Sequence, residues 1–350
     1  MNLKFILLSI DCILVIILYV SPCVSPLGIS AGIVAGIAAI GGGYFGLNQI
    51  ANFETCNGET SNTWINYNPN FNNLGNHLFG QHIALKIVPN AIKRHLNDRN
   101  PPKALVLSFH GHVGVGKNHL ASLIANEIYT KYKTEGDSKF VHYLLGTSYI
   151  ERNTKSGTSK FRKIIENGVA NCGRSLFIID ELDKFPEMFL DDLASYLSSN
   201  TPINGIKFNK AIFMLLSNSA SLAINSKTFE LRSNGVNRED IKYMEFEKIL
   251  QTMAMQGEEG RGGLKNSELI KHGLIDRFVP FLPLEKEHVK LCIKHYLQNH
   301  LNYTNPEQDP GIKFIEDVAQ ALKYDSKLNL YTEFGCRPVK SKTDIFLIDD

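Results

Sequence analysis

The stretch GHVGVGKN, from Gly111 to Asn118, decides the fold of this chain. An apolar run that is typical of a buried strand, Ala104–Phe109, comes just before it, and a helical pattern, His119–Tyr129, follows. A strand, a glycine-rich loop and a helix in this order form a phosphate-binding loop, in which backbone N–H groups and the helix dipole face one anion. The sequence therefore predicts a nucleotide site here. A glycine-rich turn with an unrelated lysine is the alternative, and the strand before the loop and the helix after it disfavour that alternative.

The residue types in the loop suit phosphate binding. The three glycines let the backbone curl around an anion, and Lys117 would reach the β- and γ-phosphates. The motif G-x-x-x-x-G-K is complete, but Asn118 replaces the Ser or Thr whose hydroxyl normally contacts Mg²⁺. An amide oxygen can also bind Mg²⁺, from a longer side chain. We expect nucleotide contacts along Gly111, His112, Val113, Gly114, Val115, Gly116, Lys117, Asn118 and His119.

A second run of bulky apolar residues, Ser175–Ile179, ends in the acids Asp180 and Glu181. This is a Walker B pattern, in which the first acid holds Mg²⁺ through water and the second orients or deprotonates the attacking water. A strand that runs into a charged turn would look similar. Its place after the phosphate loop, with a strand and a helix between, favours the Walker B interpretation.

A third apolar run, Ala211–Ser217, ends at Asn218, which suits a sensor of the γ-phosphate or of the attacking water. A strand-end turn is the alternative for a single asparagine. Further strands are predicted at Phe140–Leu145 and within Leu274–Leu284, and helices alternate with the strands. This alternation predicts an α/β fold with a doubly wound parallel sheet, nucleotide at the carboxyl ends of the strands, and a smaller helical lid after it.

The composition is that of an ordinary globular protein, with 43% hydrophobic and 21% charged residues among 350. The formal net charge is +2 and like charges do not cluster, so nothing indicates a nucleic-acid surface. The 6 cysteines form no CxxC pair and no Cys/His cluster at zinc spacing. We therefore expect no metal other than the Mg²⁺ of the nucleotide.

The N-terminus is apolar. Residues 1–25 resemble a secretory signal peptide, with Lys4 ahead of a long hydrophobic run. A second apolar segment, 26–53, contains no charged residue and predicts membrane association, either as a span or within one leaflet. A buried core helix is the alternative. Residues 54–77 are rich in Asn and predict a loop or tether.

Taken together, these motifs resemble those of a known family. The stretches GHVGVGKN, SLFIIDELDKF, AIFMLLSN, LIDRFVPFLPLE and FGCRPV, with FGQHIA ahead of them, are similar to the torsins, AAA+ ATPases related to the Clp-type unfoldases. The resemblance runs from Leu78 to the C-terminus. It implies an AAA+ P-loop fold with a large subdomain at 78–283 and a C-terminal helical lid at 284–350. Asn118 is itself a torsin feature.

The resemblance also implies ATP and Mg²⁺ as cofactors and a role for each site residue. Lys117 would bind phosphates, Asp180 and Asn118 would bind Mg²⁺, and Glu181 would be the catalytic glutamate. Asn218 would be sensor 1. The turn Gly335-Cys336-Arg337 matches the sensor 2 turn, with arginine where torsins usually have lysine. Arginine keeps the positive charge near the γ-phosphate with a different geometry.

A location and a partner are implied as well. Torsins lie in the lumen of the endoplasmic reticulum and nuclear envelope, and they lack the arginine finger of Clp-type neighbours. Leu274 stands at the finger position, and we expect Arg277 to be a surface or structural residue. The arginine would then come from the lumenal domain of a membrane-anchored activator of the lamina-associated-polypeptide type. The chain would form a homo-oligomer or a hetero-oligomer with that activator.

A lumenal location bears on the cysteines. After signal cleavage four remain, and the resemblance implies the disulfides Cys56–Cys172 and Cys292–Cys336, the latter labile and coupled to nucleotide sensing. Buried free thiols are the alternative for Cys172 and Cys292. Asn302 begins the glycosylation sequon Asn-Tyr-Thr.

Two functions of different classes are compatible with the sequence. One is an ATPase that remodels protein or membrane substrates and is weakly active until a partner docks. The other is an ATP-dependent assembly switch or scaffold with little turnover. Glu181 favours the first, whereas Asn118 and the missing finger favour the second. Tyr149 and Ile150 lie about where Clp relatives carry a pore loop, although their flanking residues favour a surface loop.

Overall fold

A computed structural model describes residues 54, 56, 64–152, 155–198, 202–256, 264, 267–300, 311–325 and 330–349. The predicted signal peptide at 1–25, the apolar segment at 26–53 and the sequon residue Asn302 lie outside the described residues. The chain divides into the units Met1–Glu54 and Thr55–Asp350, and the fold below is that of the second unit. Across the described ranges, no helix has both the length and the apolar content needed to cross a bilayer.

Within these ranges the chain forms five strands and ten α-helices. The strands are β1 (Leu105–His110), β2 (Val141–Leu145), β3 (Leu176–Asp180), β4 (Ile212–Ser217) and β5 (Arg277–Pro280). The first seven helices are α1 (His82–Asn97), α2 (Lys117–Ile128), α3 (Lys155–Asn171), α4 (Glu187–Leu197), α5 (Ser221–Ser233), α6 (Met244–Gln256) and α7 (Glu268–Lys271). The last three are α8 (Lys286–His300), α9 (Gly311–Gln320) and α10 (Val339–Asp349).

The strands form one parallel sheet in the order β2-β3-β4-β1-β5. His110 at the end of β1 is the register partner of Ser217 at the end of β4. Asp180, at the end of β3, is the partner of Leu145 at the end of β2. The carboxyl ends of the strands therefore line one edge of the sheet, and β4 lies between the strand of the phosphate loop and the strand of Asp180.

Helices cover both faces of this sheet, because successive strand residues point to opposite sides. One core contains Leu107 of β1 together with apolar residues of α1 and α2, among them Ile92 and Ile124. The other core contains Val106 of β1 and residues of α3 and α4, among them Phe161. This arrangement is the doubly wound parallel sheet that the sequence predicts.

The helical lid has a core of its own. Leu284, residues of α8 such as Ile293, Phe314 and Val318 of α9, and Val339 at the start of α10 form a separate hydrophobic cluster. The described part of 284–350 thus contains three helices around one core, and the bounds of the lid stay a prediction. Its last helix, α10, was not predicted from the sequence.

The residues before the first helix differ from the predicted tether. From Trp64 onward they pack on the domain: Ile65 is buried and bridges Tyr129, and the backbone N–H of Asn66 donates to the Ile128 carbonyl at 2.7 Å. Phe71 and Leu74 of a short 3₁₀ turn are buried too. A scattered set of apolar residues among asparagines thus completes the core, and the domain begins before Leu78.

Tyr149 also differs from expectation. The residue is 5% exposed, and its ring contacts those of Phe161, Phe185 and Phe189 at centroid distances of 5.9, 5.2 and 5.2 Å. Neither a pore loop nor a surface loop is the right description of Tyr149, because its ring is part of the core. The helix α3 starts at Lys155, and α1 contains Pro89 without ending there.

Two disulfides, Cys56–Cys172 and Cys292–Cys336, join the pairs implied by the family resemblance. The first closes a loop with a sequence separation of 116 residues, and the second closes one of 44. Free thiols at Cys172 and Cys292 are therefore not what the structure contains.

We expect the double substitution C56S/C172S to lower the free energy of unfolding by about 2–4 kcal/mol, because the loop it opens restricts the unfolded chain. Thermal or denaturant unfolding under non-reducing conditions measures this loss. A reductant should lower the stability of the wild type by at least as much, because it also opens Cys292–Cys336. Non-reducing peptide mass spectrometry provides the direct test. Four free thiols in protein expressed in a secretory compartment would contradict both bonds.

Candidate nucleotide site

The phosphate loop lies between β1 and α2. Gly111, Gly114 and Gly116 have φ values of +154°, +79° and +102°, and α2 begins directly at Lys117. The loop is therefore curled as the motif predicts, with a helix N-terminus beneath it. This is the backbone arrangement that binds phosphate in other proteins.

Lys117 is the centre of the site. Its side chain is 6% exposed, and Nζ donates to the carbonyl oxygens of Gly111 at 2.6 Å and His112 at 2.8 Å and to Asn218 Oδ1 at 3.0 Å. Burial lowers the pKa of Lys117 from 10.5 to about 8, although the carboxylates of Asp180 and Asp183 oppose that shift. The structure thus brings the predicted phosphate-binding lysine and the predicted sensor into direct contact.

Asp180 and Asn118 meet on the other side of the loop. Asn118 Nδ2 donates to Asp180 Oδ2 at 2.5 Å and to the Tyr143 hydroxyl at 3.0 Å, and that hydroxyl donates to the same carboxylate oxygen at 2.5 Å. Burial and this carboxylate raise the pKa of Tyr143, so the hydroxyl remains a donor. Tyr143 was not recognised in the sequence, since a tyrosine within a strand pattern carries no functional signal.

These side chains fit a Mg²⁺ ion that arrives with a nucleotide. Among the described residues, no group of three or more His, Cys, Asp and Glu side chains could hold a metal ion. Mg²⁺ in nucleotide sites usually takes one or two protein oxygens and completes its shell with phosphates and water. The carboxylate of Asp180 and the amide oxygen of Asn118 are donors of that kind.

Glu181 follows Asp180 in a left-handed backbone conformation, with φ 51° and ψ 45°. Such a conformation costs on the order of 1–3 kcal/mol for a non-glycine residue and is concentrated at functional sites. Its Oε1 accepts from Lys184 Nζ at 2.8 Å. Burial raises the pKa of Glu181, but Lys184 and Thr147 outweigh that effect and the net shift is downward. Glu181 is therefore a carboxylate at neutral pH, as a base requires, and it is paired with Lys184.

The sensor 2 turn packs directly on the phosphate loop. The backbone N–H of Cys336 donates to the Gly114 carbonyl at 3.1 Å. A Cβ on Gly114 would lie 1.9 Å from the Phe334 carbonyl oxygen, and a Cβ on Gly335 would lie 2.3 Å from the Gly114 oxygen. Arg337 is exposed beside this contact. The lid and the loop thus approach so closely that only glycine fits at either position.

Gln81 is a further residue that the sequence did not single out. Its buried amide donates to the carbonyls of Val115 at 3.1 Å and Leu282 at 2.8 Å, and it accepts from the Leu282 N–H at 2.8 Å. One side chain therefore joins the phosphate loop to the segment that leads from β5 into the lid. A single glutamine before a helix gives no signal from which this role could be predicted.

His119 lies beside the phosphate loop. Its Nε2 pairs with the His77 carbonyl at 3.0 Å, and His77 Nδ1 pairs with His295 Nε2 of α8 at 2.9 Å. These residues line a cavity of about 260 Å³ between the loop and the lid, which also includes the Cys292–Cys336 pair. The structure therefore places His119 against a cavity that could accept the base or ribose of a nucleotide.

The two residues near the expected finger position differ in exposure. Leu274 is 6% exposed and packs in the core below the sheet, whereas Arg277 is exposed at the start of β5. Arg277 is the register partner of Leu107, the third residue of β1, and it lines a groove together with Pro101 and Leu105. Arg277 is thus a surface residue that lies beside the first half of β1, whereas the phosphate loop follows the end of that strand.

Comparison with known proteins gave consistent matches. Residues 51–179 match the family model described as Torsin. A Caenorhabditis elegans protein described as a torsin-like protein is 36% identical over 315 residues, covering 88% of this chain and 85% of that protein. A Drosophila melanogaster torsin-like protein is 36% identical over 271 residues, covering 76% and 77%.

The fold has relatives among solved structures. The Saccharomyces cerevisiae Hsp104–ADP complex matches with a TM-score of 0.53 at 17% sequence identity. The match covers 80% of this chain and 48% of the Hsp104 chain, so this chain spans about half the length of that protein. At this identity the likeness concerns the fold alone.

We expect Gly335→Ala to weaken ATP binding, because the new Cβ would push the sensor 2 turn away from Gly114. Gly235→Ala is the matched control, since Gly235 has φ +81° but open space around it. The left-handed backbone should cost each variant about 1–2 kcal/mol of stability. The overlap of the new Cβ with the Gly114 carbonyl should lower the free energy of unfolding of G335A by roughly 1–3 kcal/mol more. Equal ATP affinities of the two variants in calorimetric titration would contradict the idea that the close contact between Gly335 and Gly114 supports ATP binding.

We expect ATP affinity to fall as pH rises from 7 to 9, by about tenfold. The free protein loses the Lys117 proton as pH passes about 8, and ATP must then bind with uptake of a proton. Equilibrium titration with Mg²⁺–ATP across this range measures the effect. K117A should bind more weakly at pH 7 and show no such decline, and a flat profile for the wild type would rule the explanation out.

Proposed function

Since this chain belongs to the torsin family of AAA+ ATPases, we propose that it binds ATP with Mg²⁺ on the loop Gly111–Asn118 and hydrolyses it. The observation that supports this most is the convergence of three strand ends. Lys117 after β1, Asn218 after β4 and the acids after β3 lie on one edge, with Lys117 3.0 Å from Asn218 and Asn118 2.5 Å from Asp180.

Each side chain has a distinct part in this reaction. Lys117 Nζ exchanges its loop carbonyl acceptors for phosphate oxygens, to which a cation binds more strongly. Asp180 and Asn118 would hold Mg²⁺, which would neutralise negative charge on the phosphates. Glu181 takes the proton of the attacking water, and for this it must leave Lys184, with which it is paired at 2.8 Å. Asn218 orients the water or the γ-phosphate.

The proposal includes a partner that supplies an arginine. Leu274, at the position of the finger in Clp relatives, is buried, and Arg277 is exposed beside Leu107, ahead of the end of β1 that leads into the phosphate loop. We infer that turnover is slow until the lumenal domain of a membrane-anchored activator, of the lamina-associated-polypeptide type, adds an arginine. In other NTPases such an arginine is worth ~10³–10⁵ in rate.

The proposed location is the lumen of the endoplasmic reticulum and nuclear envelope, with association to the membrane through residues 26–53. Two disulfides in one domain support an oxidising compartment, since cytosolic proteins rarely keep such bonds. The signal-like residues 1–25 and the sequon at Asn302 agree with it. Substrates would be lumenal proteins or the membrane itself.

The second candidate function is an ATP-dependent assembly switch with little turnover. Two observations favour it: Asn118 replaces the usual hydroxyl at the metal position, and Glu181 is engaged by Lys184. In this case nucleotide would stabilise a complex with the activator, and hydrolysis would serve only to end it.

We expect Glu181→Gln to retain ATP affinity and to lose roughly 10²–10⁴-fold in activator-stimulated turnover, because the amide cannot accept the proton. E181Q should also hold ATP and the activator domain in a complex that the wild type releases. Glu268→Gln is a matched control, since Glu268 forms a comparable pair with Lys271 at 2.7 Å. Phosphate release and size-exclusion chromatography are the measurements. Identical behaviour of E181Q and wild type would favour the assembly switch.

A further inference from the structure

A chain of hydrogen bonds runs beneath the phosphate loop from β1 to the acidic turn after β3. Ser108 Oγ pairs with His110 Nε2 at 2.7 Å, and His110 Nδ1 pairs with Ser219 Oγ at 3.1 Å. Ser217 Oγ then contacts Ser219 Oγ at 2.8 Å and Asp183 Oδ1 at 3.1 Å. Together these five side chains join the ends of β1, β3 and β4.

The direction of each bond follows from the number of available protons. A hydroxyl has one proton and a carboxylate can only accept, so Ser217 donates to Asp183 and Ser219 donates to Ser217. His110 must then donate from Nδ1 to Ser219 and accept at Nε2 from Ser108. His110 is 1% exposed and burial lowers its pKa to about 4, so the ring is neutral and has the single proton that this order needs.

The hydrogen-bond chain ends at Asp183 Oδ1, and this oxygen also binds the backbone of Asn218, the predicted sensor. Asp183 Oδ1 accepts from the backbone N–H of Asn218 at 3.1 Å, in addition to the Ser217 hydroxyl. Asn218 Oδ1 in turn accepts from Lys117 Nζ at 3.0 Å. Asp183 therefore fixes the position of the Asn218 backbone, and with it the position of the Asn218 side chain relative to Lys117.

We propose that Asp183 is a positioning residue for ATP hydrolysis: it fixes the backbone of Asn218, and the ordered chain from His110 fixes Asp183. This inference rests on the proposed ATPase function. Asp183 acts through Asn218 and is not required to touch nucleotide or metal. The competing explanation is that Asp183 contributes only negative charge near Lys117, and two substitutions separate the explanations.

Asp183→Asn removes the charge and keeps an acceptor oxygen at the same distance from the backbone, whereas Asp183→Glu keeps the charge and displaces the carboxylate by one methylene. We expect D183N to hydrolyse ATP within about threefold of wild type and D183E to be slower by roughly 10–100-fold, since a displacement of about 1 Å in a catalytic group costs that much. Both should bind ATP with wild-type affinity.

Single-turnover hydrolysis of radiolabelled ATP by the full-length chain, mixed with the activator domain, measures the rate, and calorimetric titration measures the affinity. Assays at pH 6.5 keep Lys117 protonated, since its pKa is about 8. Asp317→Asn and Asp317→Glu on the exposed face of α9 are the matched controls. If D183E fails to fold, Asp183→Ala takes its place with the same expectation of slow turnover. A slow D183N beside a normal D183E would overturn the proposal.

The tautomer of His110 gives a second, independent measurement. Nitrogen NMR of the wild type should show the proton on Nδ1, and a proton on Nε2 would overturn the ordered chain. A wild type that binds ATP without hydrolysing it would instead contradict the proposed function. The tautomer of His110 would still test whether the hydrogen bonds from Ser108 to Asp183 are ordered as described. The two failures are therefore distinguishable.

Discussion

A buried ammonium group is the constraint on which this site depends. Lys117 is almost fully enclosed, so its three protons need acceptors within the protein, and they find two loop carbonyls and the amide oxygen of Asn218. These acceptors belong to different elements, because Asn218 follows β4. The lysine thus holds the loop to the central strand, and the strand order then determines where the acids after β3 can lie.

The parts of the site that could be predicted from the sequence are those that strand ends carry. A buried apolar run that stops at a glycine loop, at Asp180 or at Asn218 indicates both the element and the position of the polar group, because parallel strands present their carboxyl ends at one edge. Tyr143, Gln81 and Asp183 could not be found this way. Each acts through a contact with a residue far away in the chain, and a single polar side chain shows no periodicity.

The same reasoning explains why α5, the residues from Trp64 to Leu74 and the core position of Tyr149 were not predicted from the sequence. The helix α5 buries only Ile224 among its large apolar side chains, so its sequence lacks the stripe that predicts an amphipathic helix. The residues from Trp64 to Leu74 are buried one or two at a time among asparagines, which is the composition of a loop. Tyr149 lies in a polar stretch, and only the arrival of Phe161 and Phe189 from later helices makes its position a core position.

The Cys56–Cys172 bond has a mechanical consequence. A pull on the chain ahead of Cys56, resisted anywhere beyond Cys172, would travel through the sulfur bridge and leave residues 57–171 outside the load path. That sheltered segment contains β1, the phosphate loop and α2. A force applied to the amino-terminal end would therefore act on covalent bonds first, and the phosphate loop and its neighbouring elements would not be strained.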